Sequence, residues 1–586
     1  MAELQLALTR EEVAKREIGR TQTTALAARL LAWLFLATIF LVPAVQHARE
    51  FRAALEGTRA SPWPQSVDIF RTLPAAARAF AESHRPLAGR ILAANRVLLH
   101  GIHQYEDALE DASFLRKALL PNVQAFQTRF LGVGSEQVIC GRGRWLFYRP
   151  DVDYVTGPGF LEPASLARRA AAGTERNPKP RPDPVEAIAD FAAQLARRNI
   201  TLVLAPTPVK SMIHPEDCSA RCSGRLLQNP SHEEFQRRLE RRVREKFAAL
   251  GGCTTVRGVL LFDLAAILVE RKERTGQPQY LATDTHWRPE AMESCAEKLA
   301  RFLAPLVPNT GPTGLYRRRS AEVSNEGDLA RMLNLPKDAG LYPEETVRIQ
   351  PVFDRQDAPW QPDKSADVLL LGDSFTNVYA FDALGWGFGA GFAEHLSYHL
   401  GRPIDRIVRN DDGAHATRAL LASELAKGRD RLAGKKVVVW QFAARELADG
   451  DWKLIELSLR PPKPTRFLDL PPGQTVTVSG TIAALTPPPR PRSKPYADYI
   501  MAVHLTDLRA EGAAVEGREA LVYLWGMRKN LWTEAAHFRI DREIRVRLTS
   551  WEKLKETRPA LATVQRGELG GNLDLEPACW AEVLGE

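Results

Sequence analysis

Val368-Leu369-Leu370-Leu371-Gly372-Asp373-Ser374-Phe375 decides the fold of this chain. A Leu-rich apolar run breaks off in Gly-Asp-Ser. That is how a buried strand hands a serine to the carboxyl edge of an α/β sheet, where such sheets place their ligands. Gly372 permits the tight turn and close backbone approach that the junction needs. A serine in that place becomes a nucleophile only with a base to take its proton and a third group to orient the base. Asp284-Thr285-His286-Trp287 supplies a candidate pair upstream. On an extended segment, residues two apart point to the same side, so Asp284 and His286 are expected to form a backbone-ordered pair.

The surrounding sequence alternates strand and helix patterns. Val185, Ile188, Phe191, Ala192 and Leu195 recur at helical spacing, and 231–249 and 288–303 read as further helices. Short apolar, β-branched runs at 200–204, 367–371, 406–409 and 436–440 read as strands. Such runs between amphipathic helices predict a parallel sheet covered on both faces. Three of the strands end beside Lys210, Ser374 and Arg445, which predicts one shared cleft at the carboxyl edge.

Asp-Thr-His-Trp followed by Gly-Asp-Ser-Phe resembles the alginate O-acetyltransferase AlgJ/AlgX-like family, a branch of the SGNH-hydrolase superfamily. The resemblance runs from about residue 130 to about residue 455. It takes in Gly141-Arg142-Gly143-Arg144-Trp145-Leu146-Phe147-Tyr148, the turn around Pro208-Val209-Lys210 and Ile213-His214-Pro215, and Val439-Trp440-Gln441-Phe442-Ala443-Ala444-Arg445-Glu446-Leu447. It implies Ser374 as nucleophile, His286 as general base and Asp284 as its orienting carboxylate. Here the Asp-x-His element precedes the serine by nearly ninety positions, whereas ordinary SGNH hydrolases place it last. Chain order is immaterial to the chemistry, because triads are defined by geometry and roles.

An acyl-transfer site also needs donors for a developing oxyanion. The backbone N–H of Ser374, the N–H of Gly413 and the side chain of Asn410 are the candidates. Lys210 and Arg445 either bind an anionic saccharide or form ion pairs with Glu216 or Glu446. Trp287 either shields the histidine or packs, and Tyr379 is a further candidate for the substrate cleft. Gly385, Gly387, Gly389 and Gly391 alternate with larger residues. No Lys-Ser/Thr comes after them, so they form no phosphate loop and are expected to let a helix start pack closely.

The remaining chain sets the context. Its 586 residues carry a formal charge of +8, with no long Lys/Arg block, so nucleic acid is not an expected partner. Residues 25–45 form one apolar run, short but adequate for a spanning helix of roughly 17–25 residues. Arg10, Lys15, Arg16, Arg20 and Arg29 precede or open it, which predicts a cytoplasmic segment 1–24 and export of the chain beyond residue 45. A cleaved signal peptide is the rival reading. Residues 46–125 read as a helical stalk or subdomain, 126–458 as the SGNH-like catalytic domain, and 465–586 as a small antiparallel β barrel or sandwich, either carbohydrate-binding or structural. Pro461-Pro462-Lys463-Pro464 marks the linker, and Pro487 to Arg492 an extended basic loop. Cysteines stand at 140, 218, 222, 253, 295 and 579. Cys218 and Cys222 are either a local disulfide or free thiols. No Cys-x-x-Cys pair occurs, so no structural zinc site or other metal is expected, and no nucleotide or other cofactor signature appears.

The expectation is an exported O-acetyltransferase, held in the inner membrane by residues 25–45 with its body in the periplasm or outside the cell. It would act on a cell-surface or secreted polysaccharide through an acetyl-serine intermediate. The resemblance implies that a separate membrane acyltransferase supplies the acetyl group. A carbohydrate esterase using the same residues and a non-catalytic polysaccharide-binding or assembly factor are the alternatives.

Overall fold

The computed structural model describes residues 24–584 except 56–64, 83–85, 174–178, 252–257, 309–313, 337, 411–412, 427, 460–466, 490–495, 512–516, 559–560, 562–563, 568, 570–572 and 574–575. The basic residues before Arg29, Cys253, the Pro461–Pro464 linker, Asp411-Asp412 and the end of the Pro487–Arg492 loop lie outside the described residues. Two compact units are present, Met1–Val123 and Gln124–Glu586.

In the first unit, α1 (Ala25–Leu55) runs 31 residues and carries Pro43 inside it. The helix is long and apolar enough to cross a membrane, and it continues beyond the apolar run. Leu30, Trp33, Phe35 and Phe40 are exposed along it. Helices Thr72–Glu82 and Leu87–Ala112 come next.

The second unit is built on a five-stranded parallel sheet. Its strands are β1 (Thr201–Thr207), β2 (Val259–Leu261), β3 (Val368–Gly372), β4 (Asp405–Val408) and β5 (Val437–Ala443), in spatial order β4-β3-β5-β1-β2. Every neighbouring pair is parallel. All residues of β3 and β5 are buried, as a sheet covered on both faces requires. β2 has only three residues and carries no sequence pattern long enough to announce it.

The helices start where local chemistry favours it. α2 (Pro184–Ala196) has Pro at its first position, and the Asp183 side chain accepts the Val185 N–H at 2.9 Å, which satisfies an orphan donor. Its apolar stripe from Val185 to Leu195 is buried. α3 (Pro289–Leu303) packs beside α5 (Phe392–Leu400), and between them in sequence α4 (Ser374–Asn377) comes directly after β3. A Cβ on Gly391, just before α5, would lie 2.6 Å from both Thr376 O and Ala380 Cβ. The last glycine of the alternating run therefore does allow a helix start to pack closely.

Beyond the linker, β6 (Thr475–Leu485), β7 (Tyr499–Ala510), β8 (Ala520–Arg528), β9 (Glu543–Ser550) and β10 (Ala578–Val583) close into a barrel in the order β8-β10-β9-β6-β7, with β7 returning to β8. The closing β8–β10 pair is parallel, so the barrel is not wholly antiparallel. This connectivity is the plan of the OB-fold. One outer flank carries Tyr523, Trp551 and Trp580, the last two stacked at 5.8 Å. It is covered by α6 (Trp551–Thr557). The Arg409 guanidinium, just past β4, donates to Arg566 O at 2.8 Å, and the Arg566 guanidinium lies over Tyr523. Among the described cysteines none is disulfide-bonded, so Cys218 and Cys222 are free thiols.

Candidate active site

Parallel strands β3, β5 and β1 are adjacent, so their carboxyl ends share one edge, and a side-chain network locks those ends together. The Gln441 amide donates to Thr207 Oγ1 and to Asp373 Oδ1, each at 2.8 Å. Its carbonyl accepts the Asp373 N–H at 3.0 Å and the Thr376 hydroxyl at 2.7 Å. Asp373 caps α4 by accepting the Phe375 N–H at 2.9 Å, and its other oxygen accepts the Ala443 N–H at 2.7 Å. A Cβ at Gly372 would sit 2.3 Å from Thr376 Oγ1, so the turn into α4 needs glycine. Ser374 opens α4, 8% exposed at the edge of this locked junction.

The histidine arrives on a tight turn rather than an extended segment. Leu281 N–H bonds His286 O at 3.1 Å, and Tyr280 bridges Trp287. Asp284 Oδ1 accepts the His286 N–H at 3.0 Å and lies 2.7 Å from His286 Nδ1. Asp284 thus makes an Asx-type turn with its own chain and orients the imidazole at the same time. Its Oδ2 accepts the Asp328 N–H at 2.9 Å and the Trp386 indole N–H at 2.8 Å. Burial pushes the Asp284 carboxyl up, but the hydrogen bonds and charge of His286, with those from Trp386 and Asp328, outweigh it and hold the group well below the usual carboxylate range. Burial lowers the His286 pKa, yet the Asp284 hydrogen bond and the charges of Asp284 and Asp328 carry it above its ordinary value. With Nδ1 directed at Asp284, Nε2 is the free position of the neutral ring. That atom is buried and has no hydrogen-bond partner.

The serine and histidine segments meet through Phe375. Its ring lies edge-on to His286, with centroids 4.8 Å apart, and to Trp287 at 5.6 Å. The Trp287 indole donates to Phe375 O at 3.1 Å, and the Tyr379 hydroxyl donates to Trp287 O at 2.6 Å. Trp287 and Tyr379 are fully buried, so both act here as packing that joins the two segments.

Asp328 escaped the sequence reading. Its Oδ1 accepts the Thr285 N–H at 2.7 Å and its Oδ2 lies 3.8 Å from His286 Nδ1. Burial and the Asp284 charge push its carboxyl up to about 6. The one local signal was Gly327 before Asp328. Gly327 has φ +89, and a Cβ there would meet Thr283 O at 2.3 Å.

The remaining candidates divide. Lys210 is fully buried, and its ammonium donates to Leu146 O at 2.7 Å and Ala282 O at 3.2 Å. Burial lowers its pKa to about 8. It ties the Leu146–Tyr148 strand to the loop carrying Asp284, and Glu216 pairs with Lys272 instead. Arg445 pairs with the buried Asp151 at 2.8 Å and lies over Tyr148. The Asn410 carbonyl accepts the Asn377 amide at 3.0 Å, beside α4. Gly413 has φ +71, and a Cβ there would lie 2.7 Å from Glu446 Oε2.

The fold and this edge define an α/β protein of the SGNH hydrolase-like class. Residues 138–444 match the family described as SGNH hydrolase-like domain, acetyltransferase AlgX, and the chain belongs to that family. It is similar to the probable alginate O-acetylase AlgJ of Azotobacter vinelandii, 24% identical over 363 residues that cover 58% of this chain and 80% of that protein. The same-named protein of Pseudomonas putida is 24% identical over 348 residues, 58% of this chain and 77% of the relative. Among solved structures, the O-acetyltransferase domain of Pseudomonas putida AlgJ is 20% identical and covers 53% of this chain and 92% of that one, with a TM-score of 0.37.

Proposed function

We propose that this chain is a membrane-anchored polysaccharide O-acetyltransferase in which Ser374, His286 and Asp284 work as one unit. The observation that carries the proposal is the oriented imidazole: Nδ1 held at 2.7 Å by Asp284, Nε2 buried without a partner, and the ring packed on the residue after Ser374. In the first half-reaction Nε2 takes the Ser374 proton as Oγ attacks the acetyl carbonyl of the donor. The bond from carbonyl to leaving group breaks, and the leaving group takes that proton from the imidazolium. In the second, a sugar hydroxyl gives its proton to Nε2 and attacks the acetyl-serine ester, and Ser374 Oγ leaves and recovers the proton. Asp284 fixes the tautomer and stabilises the charged ring in both steps.

The oxyanion donors proposed are the Ser374 N–H, an orphan donor by its position at the start of a helix, with the Gly413 N–H and the Asn410 amide. The Asn410 carbonyl is engaged by Asn377, which leaves its NH2 to donate. Transfer rather than hydrolysis requires that the acceptor hydroxyl be positioned, and well-oriented groups reach effective molarities on the order of 10⁵ M or more. The acetyl group is proposed to come from a membrane acyltransferase partner. α1 is proposed as the inner-membrane anchor, with the Gln124–Glu586 unit on the periplasmic side. The names of the relatives point to alginate or a similar acidic polysaccharide as acceptor.

The test is acetyl transfer from a chromogenic acetyl ester to an alginate oligosaccharide, read by mass spectrometry. Acetylated oligosaccharide with wild type and none with Ser374→Ala is expected. Ester cleavage without transfer would mean an esterase, and neither reaction would mean a binding or assembly factor.

A further inference from the structure

Glu293 on α3 and His395 and His399 on α5 place one ligand atom each within 4.8 Å of one another. The two histidines are one turn apart, so they share a helix face, and the neighbouring helix offers the carboxylate. His395 is 2% exposed, and its Nδ1 has no hydrogen-bond partner. That nitrogen can offer a lone pair in the ring tautomer that carries its proton on Nε2. His399 Nε2 is likewise buried without a hydrogen-bond partner and lies 3.7 Å from Glu293 Oε1. Tetrahedral zinc, with bonds of about 2.0–2.2 Å, sets its ligand atoms roughly 3.3 Å apart. Arg318 ion-pairs with Glu293 Oε1. The guanidinium bonds the same oxygen that faces His399, so a metal would share that atom through its other lone pair and against the Arg charge.

We propose that Glu293, His395 and His399 form a site for a borderline divalent transition metal of the zinc type, three protein ligands with water at the fourth position. Two imidazoles and one carboxylate suit zinc over magnesium or calcium, which prefer oxygen alone. The absence of paired cysteines did not exclude this, because the donors are a His-x-x-x-His step and a carboxylate from a second helix. The metal would clamp α3 to α5. Phe392, at the start of α5, packs on Trp287 at 5.3 Å, so the clamp would stiffen the wall behind His286.

The test uses the full chain in detergent micelles, stripped with a chelator and titrated with Zn2+, with Mg2+ as control and Co2+ as spectroscopic probe. One equivalent of tightly held zinc is expected, with a higher Tm in Zn2+ and none of this in Mg2+. Co2+ should give the visible bands of a tetrahedral nitrogen–oxygen site without thiolate charge-transfer absorption. His399→Ala and Glu293→Gln, both at partly exposed positions, should each weaken zinc binding more than about tenfold. No stoichiometric zinc in the wild type overturns the proposal. So does one equivalent retained unchanged in both variants, which would place the metal at Asp284-His286-Asp328 or His214-Glu216-Asp217. Should both variants fail to fold, the wild-type Co2+ spectrum decides, and absent or thiolate-type bands overturn it.

Discussion

The ring of Phe375 lies edge-on to the ring of His286, with centroids 4.8 Å apart. Phe375 is next to Ser374 in the chain, and His286 is two residues past Asp284. One aromatic contact therefore joins two motifs that stand nearly ninety residues apart in the chain. The Trp287 indole bond to Phe375 O fixes the same junction through the main chain.

Ser374→Ala should abolish chromogenic acetyl-ester turnover, lowering kcat by about 10⁴-fold or more, and leave the thermal unfolding midpoint nearly unchanged. His286→Ala should cost about as much, and the double variant little more than either. Multiplying losses in the double variant, or full activity in folded Ser374→Ala, would remove these residues from the mechanism.

The pH dependence is set by charge. A general base must be neutral, so kcat/KM should fall as pH drops through the raised pKa of His286. The Asp328 charge helps to raise that pKa. In Asp328→Asn the charged ring loses that support, and the acid limb should move to lower pH. The two groups titrate together, so the limb reports the pair. A limb that stays put or moves up would show that Asp328 does not act on the histidine.

Lys210→Met removes the donor to Leu146 O and Ala282 O. Buried carbonyls left without a donor cost about 1–3 kcal/mol, partly offset because the buried ammonium itself carries a desolvation penalty. A net loss of about 1–2 kcal/mol is expected from the shift of the urea midpoint at constant slope. Unchanged stability with weakened acceptor binding would instead assign Lys210 to the substrate.

An alkaline-phosphatase fusion after Glu586 should be active, and a cytoplasmic reporter at the same place silent, because positive residues precede α1. The opposite pattern would overturn the topology and with it an extracytoplasmic polysaccharide as substrate.

Sequence by itself settled what local chemistry encodes. An apolar run ending in Gly-Asp-Ser became β3 and α4, because burial and a glycine turn are properties of neighbouring residues. The Asp284–His286 hydrogen bond was legible for the same reason, although an Asx turn rather than an extended segment makes it. Residues 465–586 read as a small antiparallel barrel or sandwich, but how the barrel closes was not legible, since the parallel β8–β10 pair joins segments with no local signal for one another. Sheet order, and hence the lock of Gln441 on Asp373 and Thr207, came only with the tertiary structure. So did the burial of Lys210, which a sequence shows as a mere cation, and the arrival of Asp328 beside His286. These depend on which surfaces must pack to bury β3 and β5 on both faces, a condition on the whole chain that no window of residues contains.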